Sequence, residues 1–490
     1  VRRRERRLPA DLIAAAGTAM KDAGRGGDPG MAAHGRELWS SRLAFILAAV
    51  GGAVGFANFW RFPSLAGENG GAAFILVYIG CVILIGIPII AAELILGRRG
   101  GASPINSMRR LVADEGASRG WLLIGWLSII GPFLALTYYS VVSSWTLDYL
   151  VQAVAGRFTR SDPARSQAAF AELLDSPQRL MWWHALFLAL TGFIVARGVR
   201  RGLESANKLM MPALFVLLLA LVGFAAVAGD FAAACRFMFT PDFSRITLPV
   251  AFLAMGQAFF SLSVGGGFLM TYSAYLPPGV SLPQAAAAIG VIDTLVAILA
   301  GLAIFPVVFA FGLAPNSGPG LMFETLPVAF GVMPAGALVG SAFFVLLLFA
   351  ALTSSISMLE PLVSFAEEHR GWTRRKATLC AGALAWAIGV AFVLSFNVWS
   401  DVRPLAGIAV FADKNLFGIM DLLVASLILP SNGLLIALCA GWMLAAGVTR
   451  VELAFATELI FRLWLWIVRY FAPLAIAVVL TLALKENLGL

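Results

Sequence analysis

Three glycines, an asparagine and an arginine fall inside one apolar stretch: Gly51, Gly52, Gly55, Asn58 and Arg61 lie within residues 43–66, just ahead of Pro63. Such residues are costly in hydrocarbon, where exposed backbone and unpaired polar groups find no water. Backbone that unwinds at membrane depth lines a cavity, offering carbonyl oxygens to cations and amide N–H groups to anions. The spacing of Gly51 and Gly55 also suits a small-residue helix-packing face, but packing explains neither Asn58 nor Arg61. A second run of this kind, Gly256-Gln257-Ala258-Phe259-Phe260-Ser261-Leu262-Ser263-Val264-Gly265-Gly266-Gly267, follows five helices later. Two interrupted helices at corresponding positions of two halves point to an inverted-repeat transporter with its site at the repeat interface.

The elements that must position these runs follow from composition. A chain of 490 residues that is 60% hydrophobic and 13% charged is a polytopic helical membrane protein, since no soluble core has that apolar content. The net charge of +8 gathers in short inter-span segments rather than in one stripe, which argues against nucleic-acid binding. Cys81, Cys235, Cys380 and Cys439 are scattered singly, so neither a metal knuckle nor a disulfide framework is indicated. His34, His184 and His369 are equally isolated. An enzyme, which needs a nucleophile with its base or a metal cluster, is therefore disfavoured.

Apolar stretches long enough to cross roughly 30 Å of hydrocarbon number about eleven, near 41–66, 72–97, 120–152, 180–197, 204–228, 247–275, 284–313, 336–366, 376–397, 416–446 and 458–484. Residues 1–36, with the basic run Val1-Arg2-Arg3-Arg4-Glu5-Arg6-Arg7, read as a disordered cytoplasmic tail drawn to anionic lipid. Basic residues follow the second span (Arg98, Arg99, Arg109, Arg110, Arg119), the fourth (Arg197, Arg200, Arg201, Lys208) and the eighth (Arg370, Arg374, Arg375, Lys376). Alternate loops are thus basic, which puts the N-terminus in the cytoplasm and Leu490 outside. The 153–179 connection runs against this pattern with Arg157, Arg160, Arg165 and Arg179, partly offset by Asp162, Glu172 and Asp175.

The run from Gly51 to Pro63 followed by Glu68-Asn69-Gly70-Gly71, the Tyr138-Tyr139 pair with Ser144-Trp145-Thr146, the Gly256–Gly267 segment and Leu352-Thr353-Ser354-Ser355 resemble the neurotransmitter:sodium symporter family. The likeness runs from about Arg36 onward, keeps motif order, and points to the bacterial eleven-span branch of LeuT-like amino-acid transporters. It implies a 5+5 inverted-repeat fold, all helical, with the first and sixth spans unwound at mid-membrane. Residues 37–228 would form the first repeat, 247–446 the second, and 447–490 the eleventh helix and C-terminus. The protein would sit in the bacterial inner membrane.

The same resemblance implies two sodium ions. One would be held by the carbonyl of Ala53, the side chains of Asn58, Ser261 and Asp293, and the substrate's carboxylate. The other would be held by the carbonyls of Gly51, Val54 and Ala350 and the hydroxyls of Thr353 and Ser354; taken singly, either hydroxyl would more often bond its own helix. Asp293 departs from the family's usual Asn, and Ala297 stands where chloride-dependent relatives carry a serine. Asp293 would then supply the negative charge that chloride brings elsewhere, although Tyr78, Gln257 and Ser261 match other chloride-site positions. Chloride is expected not to be required, and proton antiport through Asp293 stays open.

Gly55 stands where monoamine carriers of the family place an Asp, so the substrate is expected to be a neutral amino acid bringing its own carboxylate. Ala53, Gly55, Phe56, Ala57, Ala135, Tyr139, Phe260, Ser261, Ser263, Gly266, Ser354 and Met358 would surround it. Small Ala135 and Gly266 leave room for a large hydrophobic or aromatic side chain, while Ala57, usually Gly, and a packing role for Gly266 leave a small neutral amino acid open. Arg61 and Asp421 would form the outer gate over Tyr139 and Phe260, and Arg36 with Glu368 the inner one, beside Trp39 and Tyr275. Glu93 and Glu360 are expected to bond unwound backbone. A channel or a non-transporting sensor on the same fold remains the rival reading.

Overall fold

Long apolar runs opened by Ser, Thr, Asp or Pro form helices, and all the regular secondary structure among the described residues is helical. The computed structural model describes residues 37–159, 162–277, 279–312 and 320–487. The tail expected over 1–36, Arg36 included, lies outside the described residues.

The first span opens at Arg42–Ala53, where the Ser41 side chain accepts the N–H of Ala44 as an N-cap. It stops at Val54, whose ψ of 115° is extended. A wide-turned segment, Ala57–Arg61, restarts the helix and runs into Phe62–Glu68. Pro63 lacks the N–H that a regular α-helix would use there, which favours the wider turn before it. The two halves, Arg42–Ala53 and Ala57–Glu68, are bent by 56°.

The sixth span breaks as well. Leu248–Ser261 ends, Phe268–Ser273 begins, and between them Ser263, Gly265 and Gly267 take φ values of 49°, 77° and 73°. Gly265 is required on two counts: its φ is left-handed, and a Cβ there would run into the Leu429 carbonyl and the Gly433 amide of the tenth span. The backbone freed by the break is satisfied from outside. Glu93, fully buried in the second span, accepts the Met270 N–H at 3.2 Å, as expected from the sequence. Asn432 donates to the Gly265 carbonyl at 2.7 Å and to Ser128 of the third span at 2.9 Å.

By length and composition, 8 described helices can cross a membrane, or 9 if the bent first pair is one span. Two expected spans fall short of that standard for visible reasons. The fourth, Pro177–Val195, is diluted by Gln178, Arg179, Trp182, Trp183 and His184, and the sixth is cut in two. The continuation of the first span at Ala57–Arg61 packs against both Leu248–Ser261 and the seventh span, Leu282–Ala310, while the eighth span, Gly336–Arg370, lies along the third, Leu122–Val154. The two breaks therefore face one another inside the bundle.

Several arginines that seemed to mark loops are not free loop charges. Arg179 grips the buried Asp148 of the third span at 2.7 and 2.9 Å, which removes one cation from the 153–179 connection that ran against the charge pattern. Arg374 is bonded to Glu360 and Glu367.

Close approach of the second and sixth spans depends on Gly97, where a Cβ would collide with the Met270 carbonyl and the Ser273 hydroxyl. Gly80, in the same span, has nothing within 4 Å of such a Cβ. Gly97→Leu should destabilise the detergent-solubilised protein by about 1–3 kcal/mol or more, as overpacking does. Gly80→Leu should stay within about 0.5 kcal/mol. Thermal unfolding of the two variants side by side measures the contrast.

Candidate functional site

The break in the first span sets the first cluster. Gly55 donates its N–H to Asn58 Oδ1 at 3.0 Å, which turns the Asn58 amide nitrogen outward. That nitrogen donates to Asp293 Oδ1 at 2.9 Å, to the Asp293 carbonyl at 3.2 Å and to Ser261 Oγ at 3.1 Å. The Ser261 hydroxyl in turn donates to Asp293 Oδ2 at 2.6 Å. Tyr78 completes the group, its hydroxyl 3.3 Å from Ser261 Oγ and 3.4 Å from Asp293 Oδ2. All four side chains are 0% exposed. Ala53 closes the helix immediately before the break, so its carbonyl is one of the last four, which lack partners within their own helix. A buried carboxylate held only by neutral donors is a site for a positive charge.

A second cluster joins the same break to the eighth span. Ser354 donates its hydroxyl to the Val54 carbonyl at 2.9 Å. Thr353 turns its hydroxyl to its own helix, reaching the Phe349 and Ala350 carbonyls at 2.9 and 3.1 Å. A Cβ on Gly51 would lie 3.1 Å from Thr353 Cβ. Gly51, Val54, Ala350, Thr353 and Ser354 are thus brought together, and every oxygen among them is a backbone carbonyl or a hydroxyl, the neutral oxygens a hard cation accepts.

Gly55 lies between the clusters. A Cβ there would sit 2.8 Å from Ser354 Oγ and 3.1 Å from the Tyr139 hydroxyl. That hydroxyl is buried with no hydrogen-bond partner among the described residues. The Phe56 ring lies 5.4 Å from Tyr139, and the Ala57 carbonyl accepts from Gln257 at 3.1 Å. Ala135 and Met358 stand one turn from Tyr139 and Ser354, on the same helix faces. Gly266 supports the turn itself: its N–H donates to the Ser263 carbonyl at 2.9 Å, and a Cβ would meet that oxygen at 2.8 Å and Phe268 at 3.3 Å. The bareness of Gly266 therefore serves the bend as well as any cavity.

On one side of this centre the Arg61 guanidinium lies 4.5 Å from the centre of the Phe260 ring. Its charge acts on Asp421, which is also bonded to the Tyr138 hydroxyl. Of the Tyr138-Tyr139 pair, sequence reasoning assigned a role only to Tyr139; the contact of its neighbour with Asp421 has no local signal.

On the other side Trp39 donates its backbone N–H to the Tyr275 carbonyl at 3.0 Å and its ring N–H to the Tyr272 carbonyl at 2.8 Å. Glu368 accepts the Ser103 N–H at 2.9 and 3.1 Å and the Asn106 amide at 2.9 Å, at the start of the Pro104–Asp114 helix. Its expected partner Arg36 lies outside the described residues. Glu360 corrects an expectation. Rather than unwound backbone it takes the Tyr275 hydroxyl at 2.9 Å and the Arg374 guanidinium, which also donates to the Val195 carbonyl at 2.7 Å. Burial explains the choice, since a carboxylate that is 0% exposed needs a full countercharge when one is in reach.

The profile of the sodium:neurotransmitter symporter family matches residues 36–166 and 164–486. An uncharacterised sodium-dependent transporter of Bacillus subtilis (strain 168) is 37% identical over 444 residues, covering 90% of this chain and 96% of that protein. A sodium- and chloride-dependent creatine transporter of Bos taurus is 28% identical over 395 residues, covering 69% of this chain and 61% of that protein. Among solved structures, MhsT in complex with L-phenylalanine superposes with a TM-score of 0.83 at 40% identity, covering 92% of this chain and 100% of that one.

The two hydroxyls at the centre should respond differently to removal in the absence of ligand. Ser261→Ala deprives the buried Asp293 carboxylate of a donor and should lower stability by about 1–3 kcal/mol. Tyr139→Phe removes a hydroxyl that bonds no described residue and should change stability by less than about 0.5 kcal/mol. Unfolding of both variants in choline chloride, without amino acid, provides the measurement.

Proposed function

The chain belongs to the sodium:neurotransmitter symporter family, as a sodium-dependent membrane transporter of LeuT-type fold rather than an enzyme, and we propose that it imports a neutral, large hydrophobic or aromatic amino acid by alternating access. The observation that carries this reading is the Tyr139 hydroxyl, buried and unpartnered over Gly55 at the break. A carboxylate lying against the Gly55 backbone would accept from that hydroxyl, and Gly55 offers no acidic side chain to compete with it. The complex of MhsT with L-phenylalanine, at 40% identity, supports an aromatic guest.

Two sodium ions travel with the substrate in this reading. The first takes oxygens from Ala53, Asn58, Ser261 and Asp293 together with the substrate's carboxylate; the second takes those of Gly51, Val54, Ala350, Thr353 and Ser354. The amide group of Asn58 rotates to present Oδ1 when the cation enters. Asp293 brings the negative charge to the first site, so chloride is not required. The side-chain pocket runs from Phe56 and Ala57 past Ala135, Phe260, Ser263 and Gly266 to Met358. Arg61, Asp421, Tyr139 and Phe260 close the outer side, and Trp39, Tyr275 and Glu368 the inner. Residues 37–228 and 247–446 act as the two inverted repeats, with 447–490 outside them. The N-terminus is cytoplasmic and the membrane is the bacterial inner membrane.

Proteoliposomes with an inward Na+ gradient test this directly. Labelled phenylalanine should accumulate uphill, whereas downhill flux alone indicates a channel and binding without flux a sensor. Replacing chloride by gluconate should leave the rate unchanged; loss of uptake overturns the role given to Asp293. Asp293→Asn should cut uptake at fixed Na+ at least tenfold. Gly266→Phe should reduce transport of tryptophan or tyrosine more than that of alanine, and equal loss for all removes Gly266 from the pocket.

A further inference from the structure

Asn207 lies in the fifth span, Ser205–Ala228, and is 1% exposed. Its amide nitrogen donates to the Leu203 carbonyl, one turn earlier, at 2.8 Å. That bond fixes which way the amide points, because the reverse orientation would set two carbonyl oxygens against each other. Oδ1 is then directed away from its own helix, buried, and without a hydrogen-bond partner among the described residues. It is aimed at Gly51: a Cβ there would collide with Asn207 Oδ1, and would also meet Thr353 Cβ at 3.1 Å and Met211 Sδ at 3.2 Å. A thioether and a methine carbon give an amide oxygen nothing to accept. A buried oxygen in such surroundings calls for a donor or a cation.

We infer that Asn207 Oδ1 is a further oxygen of the second sodium site, supplied by the fifth span to the ion that Gly51, Val54, Ala350, Thr353 and Ser354 hold from the first and eighth. The inference rests on the sodium reading of those five residues. A hard cation takes several oxygens at once, and here the fifth span adds one from a direction that neither of the other two spans covers. It also explains why position 51 must be glycine, since any side chain there would separate the amide oxygen from the site. Glu204 stands three residues earlier, on the same face of the helix and toward its start, where it accepts from Ser40 and Lys208.

The test is a Na+ titration of the purified full-length protein, read as thermal stabilisation in NaCl against choline chloride at constant ionic strength. Stabilisation by a bound ion reports its affinity through mass action. Asn207→Ala should raise the half-stabilising Na+ concentration at least fivefold, and Asn207→Asp, of nearly the same shape but charged, should bring it below the wild-type value. Thr353→Ala should also raise it. An Asn207→Ala curve that overlies wild type while Thr353→Ala shifts overturns the inference and leaves the five-residue site standing. If neither curve shifts, the sodium reading fails and the inference with it. A merely structural Asn207 would lower the melting temperature equally with and without Na+, at an unmoved titration midpoint. Should Asn207→Ala not fold, Asn207→Asp decides alone: an unchanged or raised half-stabilising concentration overturns the proposal.

Discussion

Peptide groups released by a helix break inside hydrocarbon must find partners, and the interior of this chain is arranged around two such breaks. Four of the groups at or beside the breaks are met by side chains from other spans. Ser354 of the eighth takes the Val54 carbonyl, Gln257 of the sixth the Ala57 carbonyl, Glu93 of the second the Met270 amide, and Asn432 of the tenth the Gly265 carbonyl. These are long-range bonds between elements that lipid alone would not drive together, because tails and apolar side chains differ little in polarity. Backbone satisfaction thus does in this bundle part of what hydrophobic burial does in water.

The buried carboxylates divide by how their charge is met. Glu360 is countered by Arg374, and Asp148 by Arg179, with Trp183 and Gln152 donating as well. Each of these carries its own cation and is complete without a visitor. Asp293 is held by Asn58, Ser261 and Tyr78, all neutral donors. Neutral donors can be exchanged for a cation without expelling a resident one, as the sodium site proposed at Asp293 requires.

What the sequence made legible was what local composition encodes. Glycines and polar residues inside apolar runs marked both breaks, while it was the family resemblance that joined Asn58 to Ser261 and Asp293, each more than two hundred positions away from it. Glu93 meets unwound backbone as a buried carboxylate near a break would. Pairings chosen by packing were not legible. Glu360 could be seen to need a partner, but nothing near it in sequence said that Tyr275 and Arg374 would supply one. Arg179 and Arg374 looked like loop charges because charge patterning registers sign and position, not burial. The Tyr138 contact with Asp421 and the orphaned oxygen of Asn207 depend on which face of a helix meets its neighbour, and an apolar helix in a bundle shows little amphipathic pattern from which to read that face.

Trp39 ties two half-spans together. Its backbone and ring N–H groups grasp the carbonyls of Tyr275 and Tyr272, so the root of the first span's leading half is fastened to the trailing half of the sixth. Each half ends in a short non-helical link with torsional freedom where a continuous rod would be stiff. A tilt of either half would therefore drag the other along, as a single lever with two hinges.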